Sequence, residues 1–402
     1  MRTIYFEKDI PKVLLVKALR PIWPGIVFSP LSPTRLADIP ETPLPGPRWV
    51  RVRNRLCGIC ASDLHLLFVE ADPQVAPAAL PGTGRMYLGH EVVGEVTEIG
   101  AGVTALQVGD RVVMDALGAN CLSQEIEPPC RPCREGRYEL CENASLGQGP
   151  RGVGGGWGDG FTAHESGLYR VPDGLDDETA VAIEPLSVGV RTALRRLPQP
   201  DERALVVGSG IIGLAVIEAL RALSPHCQVT AMARYPQQVE MARRLGADQV
   251  VVRDDPYVAT ARITGGKLYA GPFRNRMILG GFDVVYDCVG AQKTVQDSLR
   301  WARAGGTVVM AGIRLEPMRV DLTPVWYQEV DLIGLYGRAM EEWNGIRQST
   351  YDLTAGLLLE GRLTAEGLIT HCFPLQEWRA AVRTAADKRS GAIKVVLDCR
   401  LA

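Results

Sequence analysis

No stretch of this 402-residue chain approaches the roughly 20 apolar residues that a helix needs to cross a bilayer. The start, MRTIYFEKDIPKVLLVKAL, is broken by Lys8, Asp9 and Lys12 and reads as a first strand rather than a signal peptide. An excess of one charge is also missing. Lys and Arg number 44 against 46 Asp and Glu, the formal net charge is -2, and the basic residues form neither a tail nor a stripe. Nucleic acid and anionic membrane are therefore not expected as partners. A disulfide framework is missing too, because ten cysteines are dilute in a chain of this length. A reducing compartment, the cytoplasm, is expected, with the clustered cysteines serving as metal ligands. No internal repeat is present.

What is present suffices for two cores. The chain is 46% hydrophobic and too long for one ordinary domain. The first third reads as short strands and turns: in WVRVRNRL, Val50, Val52 and Leu56 alternate with Arg51, Arg53 and Arg55, the period of a half-buried strand. VVGEVTEIGAGV and VGDRVVM continue in that style. After about residue 185, apolar strands alternate with helical patterns (ALVVG, IIGLAVIEALRAL; VTAMA, QQVEMARRLGA; FDVVYDCVG, TVQDSLRWARA; GGTVVMAGI), which implies a parallel sheet covered by helices on both faces. The last 65 or so residues return to shorter elements and end in AIKVVLD, another strand. The expected layout is an α/β protein with a catalytic domain of residues 1–185 and 338–402 and a dinucleotide-binding domain of residues 186–337. Residues 71–85 read as a surface loop near the site mouth. Residues 262–276 read as a basic loop of no derivable purpose.

Gly208, Gly210 and Gly213, with Ile211 and Ile212 between, form a G-x-G-x-x-G run after the strand ALVV and before an apolar helical pattern. Such glycines permit a tight turn and close backbone approach, so that a pyrophosphate can sit on the helix N-terminus. An NAD enzyme usually carries Asp or Glu about 20 residues further on, to bond the ribose 2'-hydroxyl. Here Ala233 stands at that point, followed by Arg234 and Tyr235. The missing carboxylate and adjacent guanidinium favour NADP(H) over NAD(H). The glycine-rich run of residues 152–165 lacks a terminal Lys-Ser/Thr and opens no helix, so it reads as a turn into a strand rather than a phosphate loop.

RLCGICASDLH puts Cys57 and Cys60 ahead of Ser62, Asp63 and His65; LGHEVVGEV supplies His90 and Glu91; AIEPLSVG supplies Glu184. Thiolate, imidazole and carboxylate are zinc ligands, and a catalytic zinc keeps one position open. The ordered set C-x-S-D-x-H, G-H-E, a triple-cysteine lobe, E-P-L-S-V-G, G-x-G-x-x-G and D-C-V-G resembles the zinc-dependent medium-chain alcohol dehydrogenase family over nearly the whole chain. That resemblance implies a GroES-like, mainly β catalytic domain beside a Rossmann domain. It implies Cys60 and His90 as catalytic zinc ligands, with Glu91 and Glu184 as carboxylates that alternate or act through water. Glu184 is similar to the polyol, threonine and sugar dehydrogenase branches. By the same resemblance, Ser62 starts a proton relay through the nicotinamide ribose to His65, Asp63 orients His90, Cys288, Val289 and Gly290 line the cofactor cleft, and Lys394 faces the pyrophosphate. Cys57 reads as a small buried residue.

Cys130, Cys133 and Cys141 are similar to the family's structural zinc lobe, whose further cysteine would fall at Glu127. Cys121 lies nine residues upstream of Cys130, so either Cys121 or Glu127 completes four ligands, or the lobe holds no metal. Zinc suits alcohol oxidation because it acidifies a hydroxyl without redox chemistry of its own, leaving hydride for the nicotinamide. The expected activity is therefore zinc-dependent hydride transfer between NADP(H) and a secondary alcohol, polyol or sugar, or its carbonyl counterpart. An NAD-linked threonine- or sorbitol-type dehydrogenase is the neighbouring reading. A nucleotide-binding protein without turnover is the reading of another class, and it would have no need of a metal set and a proton exit. The relatives implied by the resemblance are commonly homodimers or homotetramers.

Overall fold

The computed structural model describes residues 1–401 except 73, 76–83, 116–118 and 145–150. Part of the expected 71–85 loop thus lies outside the described residues; its end, Arg85–Tyr87, is a strand paired with Arg2–Glu7. That first strand stops at Glu7. The rest of the N-terminal run folds as a helix, Ile10–Leu19, because the Asp9 carboxylate caps the Lys12 N–H and Pro11 sits in the first turn, where it needs no N–H donor. Among the described residues, no helix is long and apolar enough to cross a membrane.

The first large sheet is built on Trp49–Gly58. Its even positions are buried, and the arginines between them meet carboxylates across the ladder: Arg51 bonds Glu98 at 2.7 Å and Arg53 bonds Glu95 at 3.0 Å. The C-terminal strand Lys394–Asp398 pairs with this same strand and with Ile369–Pro374, so the end of the chain returns to the first sheet. Gly160–His164 pairs along the other half of Trp49–Gly58. The glycine-rich run before it is held by one buried side chain, as the Asn54 amide donates to the carbonyls of Gly155, Gly156 and Gly158 at 2.9, 3.2 and 2.8 Å. Those carbonyls are committed to protein, and Trp157 is fully buried beneath them.

The second sheet has six strands, all parallel: Arg203–Val207, Gln228–Met232, Gln249–Val251, Phe282–Asp287, Ala302–Met310 and Asp331–Gly334, in the spatial order 3-2-1-4-5-6. The order reverses between Arg203–Val207 and Phe282–Asp287, and a crevice opens at their carboxyl ends. The basic stretch expected as a loop, residues 262–276, instead carries the end of the helix Pro256–Thr264 and the first strand and turn of a hairpin, Lys267–Ala270 against Arg276–Leu279. The sequence reading missed it because alternation in KLYA and RMIL is short and flanked by turn residues. The helix Ile183–Arg195 runs unbroken through residue 185 and packs on Ile211–Leu223 and Thr350–Leu359, so one helix carries Glu184 and touches the dinucleotide sheet's first helix.

Because the Asn54 amide is a shared donor to three glycine carbonyls, Asn54→Ala should destabilise the chain by about 2 kcal/mol. Asn54→Asp should do no better, since a carboxylate there faces carbonyl oxygens. Urea unfolding of the full chain checks both, and a midpoint unchanged in either variant would refute this role.

Candidate metal and cofactor sites

Cys60 is the N-cap of the helix Ala61–Leu67, and Asp63 at the third helical position accepts from the Cys60 N–H at 3.1 Å. The other oxygen of Asp63 accepts from the Gly89 N–H at 3.0 Å and lies 3.8 Å from His90 Nδ1. One buried carboxylate therefore fixes two segments some thirty residues apart. The turn it holds demands glycine: Gly89 has φ +83°, and a Cβ there would lie 2.3 Å from Trp157 and 2.8 Å from the Cys57 sulfur. Cys57 is a buried packing residue under this turn.

The ligand atoms of Cys60, His90 and Glu91 lie within 4.8 Å of one another. Tetrahedral zinc with bonds of about 2.0–2.3 Å separates its ligands by roughly 3.3–3.8 Å, so a small contraction would seat the ion. The field also suits a cation. Burial disfavours charge on His90, yet Cys60 and Asp63 drive its pKa well above the usual imidazole range. Glu184 stands in the first turn of its helix, outside that 4.8 Å set but close enough to feel His90, Glu91 and Lys394. Burial pushes its carboxyl up to about 7, Glu91 adds to the rise, and His90 and Lys394 oppose it.

Lys394, expected at the pyrophosphate, has a buried ammonium bonded to the Glu91 carboxylate at 2.7 and 2.5 Å and to the Ile59 carbonyl at 3.3 Å. The sequence could not reveal this, because 303 residues separate the partners. The pairing also means that a metal competes with Lys394 for Glu91.

The four-cysteine lobe is compact. Cys121, Cys130, Cys133 and Cys141 converge within 4.8 Å, with Sγ–Sγ separations of 3.7 Å for Cys121–Cys141 and 3.9 Å for Cys130–Cys141. Four sulfurs about 2.3 Å from zinc lie about 3.8 Å apart, so the donor set fits that ion. Cys121 is the fourth sulfur; Glu127 is exposed and outside the cluster, because the longer connection from Cys121 to Cys130 loops away from it. Backbone and side-chain N–H groups of Asn143 reach the sulfurs of Cys141 and Cys121 at 3.3 and 3.2 Å.

At the crevice, Gly208 (φ +90°) turns the chain out of Arg203–Val207, and a Cβ on Gly213 would lie 1.8 Å from the Gly208 carbonyl. Nothing lies within 4 Å of a Cβ built on Gly210, and the helix that begins at Ile211 and Ile212 has no side-chain cap. Open space before uncapped N–H groups is what a pyrophosphate requires. Opposite stand Cys288, Val289 and Gly290, held by buried Asp287, which accepts from the Val289 and Gly290 N–H groups at 2.9 and 3.0 Å. Ala233 ends the Gln228–Met232 strand and is buried; Arg234 is exposed beside it and Tyr235 caps the next helix.

His65 lies one turn after Ser62 on the Ala61–Leu67 helix. Its Nδ1 is 2.6 Å from Glu70 Oε2, and Glu70 also bonds Arg20 at 2.8 Å. Sequence reasoning missed both partners, since a Glu five residues from a His carries no spacing signal.

A doubly wound parallel sheet with an open glycine turn, joined to a β domain that gathers sulfur, imidazole and carboxylate, defines a nicotinamide- and zinc-dependent oxidoreductase. Residues 46–173 match the alcohol dehydrogenase GroES-like domain and residues 212–350 the zinc-binding dehydrogenase domain. Sorbitol dehydrogenase of Arabidopsis thaliana is 31% identical over 366 residues, 89% of this chain and 90% of that protein. L-threonine 3-dehydrogenase of Rhizobium etli is 30% identical, covering 90% of this chain and 94% of that one. The crystal structure of 2R,3R-butanediol dehydrogenase from Bacillus subtilis superposes with a TM-score of 0.70 at 25% identity, over 91% and 96% of the two chains. The chain belongs to the zinc-dependent medium-chain alcohol dehydrogenase family, enzymes acting on CH–OH donors.

If Cys121 and not Glu127 completes the lobe, Cys121→Ser should lower zinc content by about one equivalent per chain while Glu127→Gln leaves it unchanged. Elemental analysis of the purified variants decides between them.

Proposed function

We propose that the protein transfers hydride between NADP(H) and a secondary alcohol, polyol or sugar or its carbonyl counterpart, in residues 1–185 and 338–402 acting with residues 186–337. The convergence of Cys60, His90 and Glu91 within 4.8 Å carries this reading. Cys60 and His90 would hold the catalytic zinc, with Glu91 and Glu184 as the carboxylates that trade places or act through water. Bound zinc supplies Lewis acidity and the nicotinamide a hydride acceptor. The residues do the remainder. Asp63 keeps His90 and Cys60 in register; Lys394 holds Glu91 by hydrogen bonds; Ser62 and His65 lead the hydroxyl proton outward while the carbon gives up hydride. Gly208, Gly210, Ile211, Ile212 and Gly213 would receive the pyrophosphate, and Cys288, Val289 and Gly290 the nicotinamide side of the cleft.

The absence of a carboxylate at Ala233 and the exposed Arg234 beside Tyr235 support NADP(H). A 2'-phosphate would meet a cation there instead of an anion. Relatives named for sorbitol, L-idonate and L-threonine support a polyol or a related vicinally substituted secondary alcohol as substrate.

Arg234→Asp should lower the NADP/NAD preference by at least about tenfold, the worth of one charge-assisted contact of roughly 1.5–3 kcal/mol. An unchanged ratio of kcat/KM values would remove the ribose reading. Cys60→Ala should abolish turnover while sparing NADPH binding, read by quenching of protein fluorescence. Retained turnover would end the metal reading. A screen of linear alcohols, polyols, amino alcohols and aldoses with both cofactors then identifies the substrate.

A further inference from the structure

His65 has a carboxylate neighbour one turn further on. Its Nδ1 lies 2.6 Å from Glu70 Oε2, and the Glu70 N–H returns to the His65 carbonyl at 2.9 Å, so the two residues share one turn. The second carboxylate oxygen bonds Arg20 at 2.8 Å, and Arg20 also donates to the Phe68 carbonyl and stacks over the Phe68 ring. Arg20 ends the helix Ile10–Leu19, which precedes residue 46, where the matched family domain begins. The brace therefore comes from a segment outside both matched regions. His65 and Glu70 also line a cavity of about 570 Å³ together with Lys17, Arg20, Asp72, Arg314 and Glu316.

The other charged groups of this cavity are occupied. Arg314 pairs with Glu316, Lys17 reaches the Ala71 carbonyl at 3.4 Å, and Asp72 accepts from the Gln74 N–H at 2.8 Å. Only Glu70, among the described residues, meets the imidazole through a hydrogen bond on a ring nitrogen. Burial pushes the Glu70 carboxyl up, but bonds from His65 and Arg20 outweigh it and hold it below its ordinary value.

We propose that Glu70, anchored by Arg20, is a positioning residue that fixes His65 as the Nδ1–H tautomer, leaving Nε2 as the proton acceptor of the relay. A neutral imidazole that donates through one nitrogen must accept through the other. When Nε2 takes the proton leaving the alcohol, the imidazolium forms against an existing carboxylate, and the cavity gives it water to which the proton passes. This inference rests on the relay role given to His65 above.

The test reads the imidazole itself. In full-length protein labelled with 15N-histidine, the His65 signals are assigned by their loss in His65→Gln. At high pH the wild type should show Nδ1 protonated and Nε2 bare. Glu70→Gln should move the protonation midpoint of that ring down by about one pH unit, because a charge favouring imidazolium is gone. Arg20→Gln should move it up, because a cation opposing imidazolium is gone; opposite shifts cannot come from unfolding. An Nε2-protonated wild type, or a midpoint unmoved by Glu70→Gln, overturns the proposal. The relay is tested separately by the pH dependence of kcat for polyol oxidation with NADP+. A profile unaltered in His65→Gln would discard the relay while leaving the measured Glu70–His65 pairing intact. In a working relay the acid limb should move to lower pH in Glu70→Gln, in step with the imidazole.

Discussion

The site depends on the Asp63 carboxylate. It ties the first turn of the Ala61–Leu67 helix to the Gly89–His90 turn, adding a side-chain link to the ladder that already pairs Cys57 with Val92 and bonds the Gly58 N–H to the Glu91 carbonyl. Its cost is that a carboxylate is buried. Burial alone would raise its pKa, yet His90 and two backbone N–H groups pull it below the ordinary value, so it stays ionised. The charge kept in this way is what makes the pocket attractive to a dication.

Around this anchor several potential ligands crowd together, and one of them is already paired with Lys394. Lys394 takes up Glu91, leaving Cys60, Asp63 and Glu184 to face His90. The convergence of sulfur, imidazole and carboxylate donors in one buried place is the physical reason the constellation reads as a metal centre rather than as a structural salt-bridge network. The second cysteine group follows similar logic with sulfur in place of carboxylate. Asn143 donors and converging thiols are consistent with an ion-binding lobe, and the lobe is joined to the rest of the fold through Glu139, Arg191 and Glu341.

Much of this was legible beforehand. Strand alternation in WVRVRNRL, the strand-helix alternation after residue 185 and the open glycine turn follow from local patterns of period two or 3.6, and the six-stranded parallel sheet agrees with them. The ligand-bearing stretches around Cys60, His90 and Glu184 were visible as polar residues in apolar surroundings. Other features left no local trace. KLYA and RMIL were too short to be told from a loop, the N-terminal run hid a helix behind a strand, and the purpose of the glycines at 152–160 lies in Asn54, about a hundred residues away.

The sequence by itself determined which residue types exist, the half-buried strand of WVRVRNRL, the strand-helix alternation after residue 185, and that a dinucleotide turn follows a strand, because those properties depend on neighbours a few residues apart. Only the tertiary structure decided partners: Cys121 rather than Glu127 in the lobe, Glu91 for Lys394, Glu70 and Arg20 for His65. Those choices turn on distances of a few ångströms between segments up to 303 residues apart, and chain order carries no record of such distances until the sheets have folded.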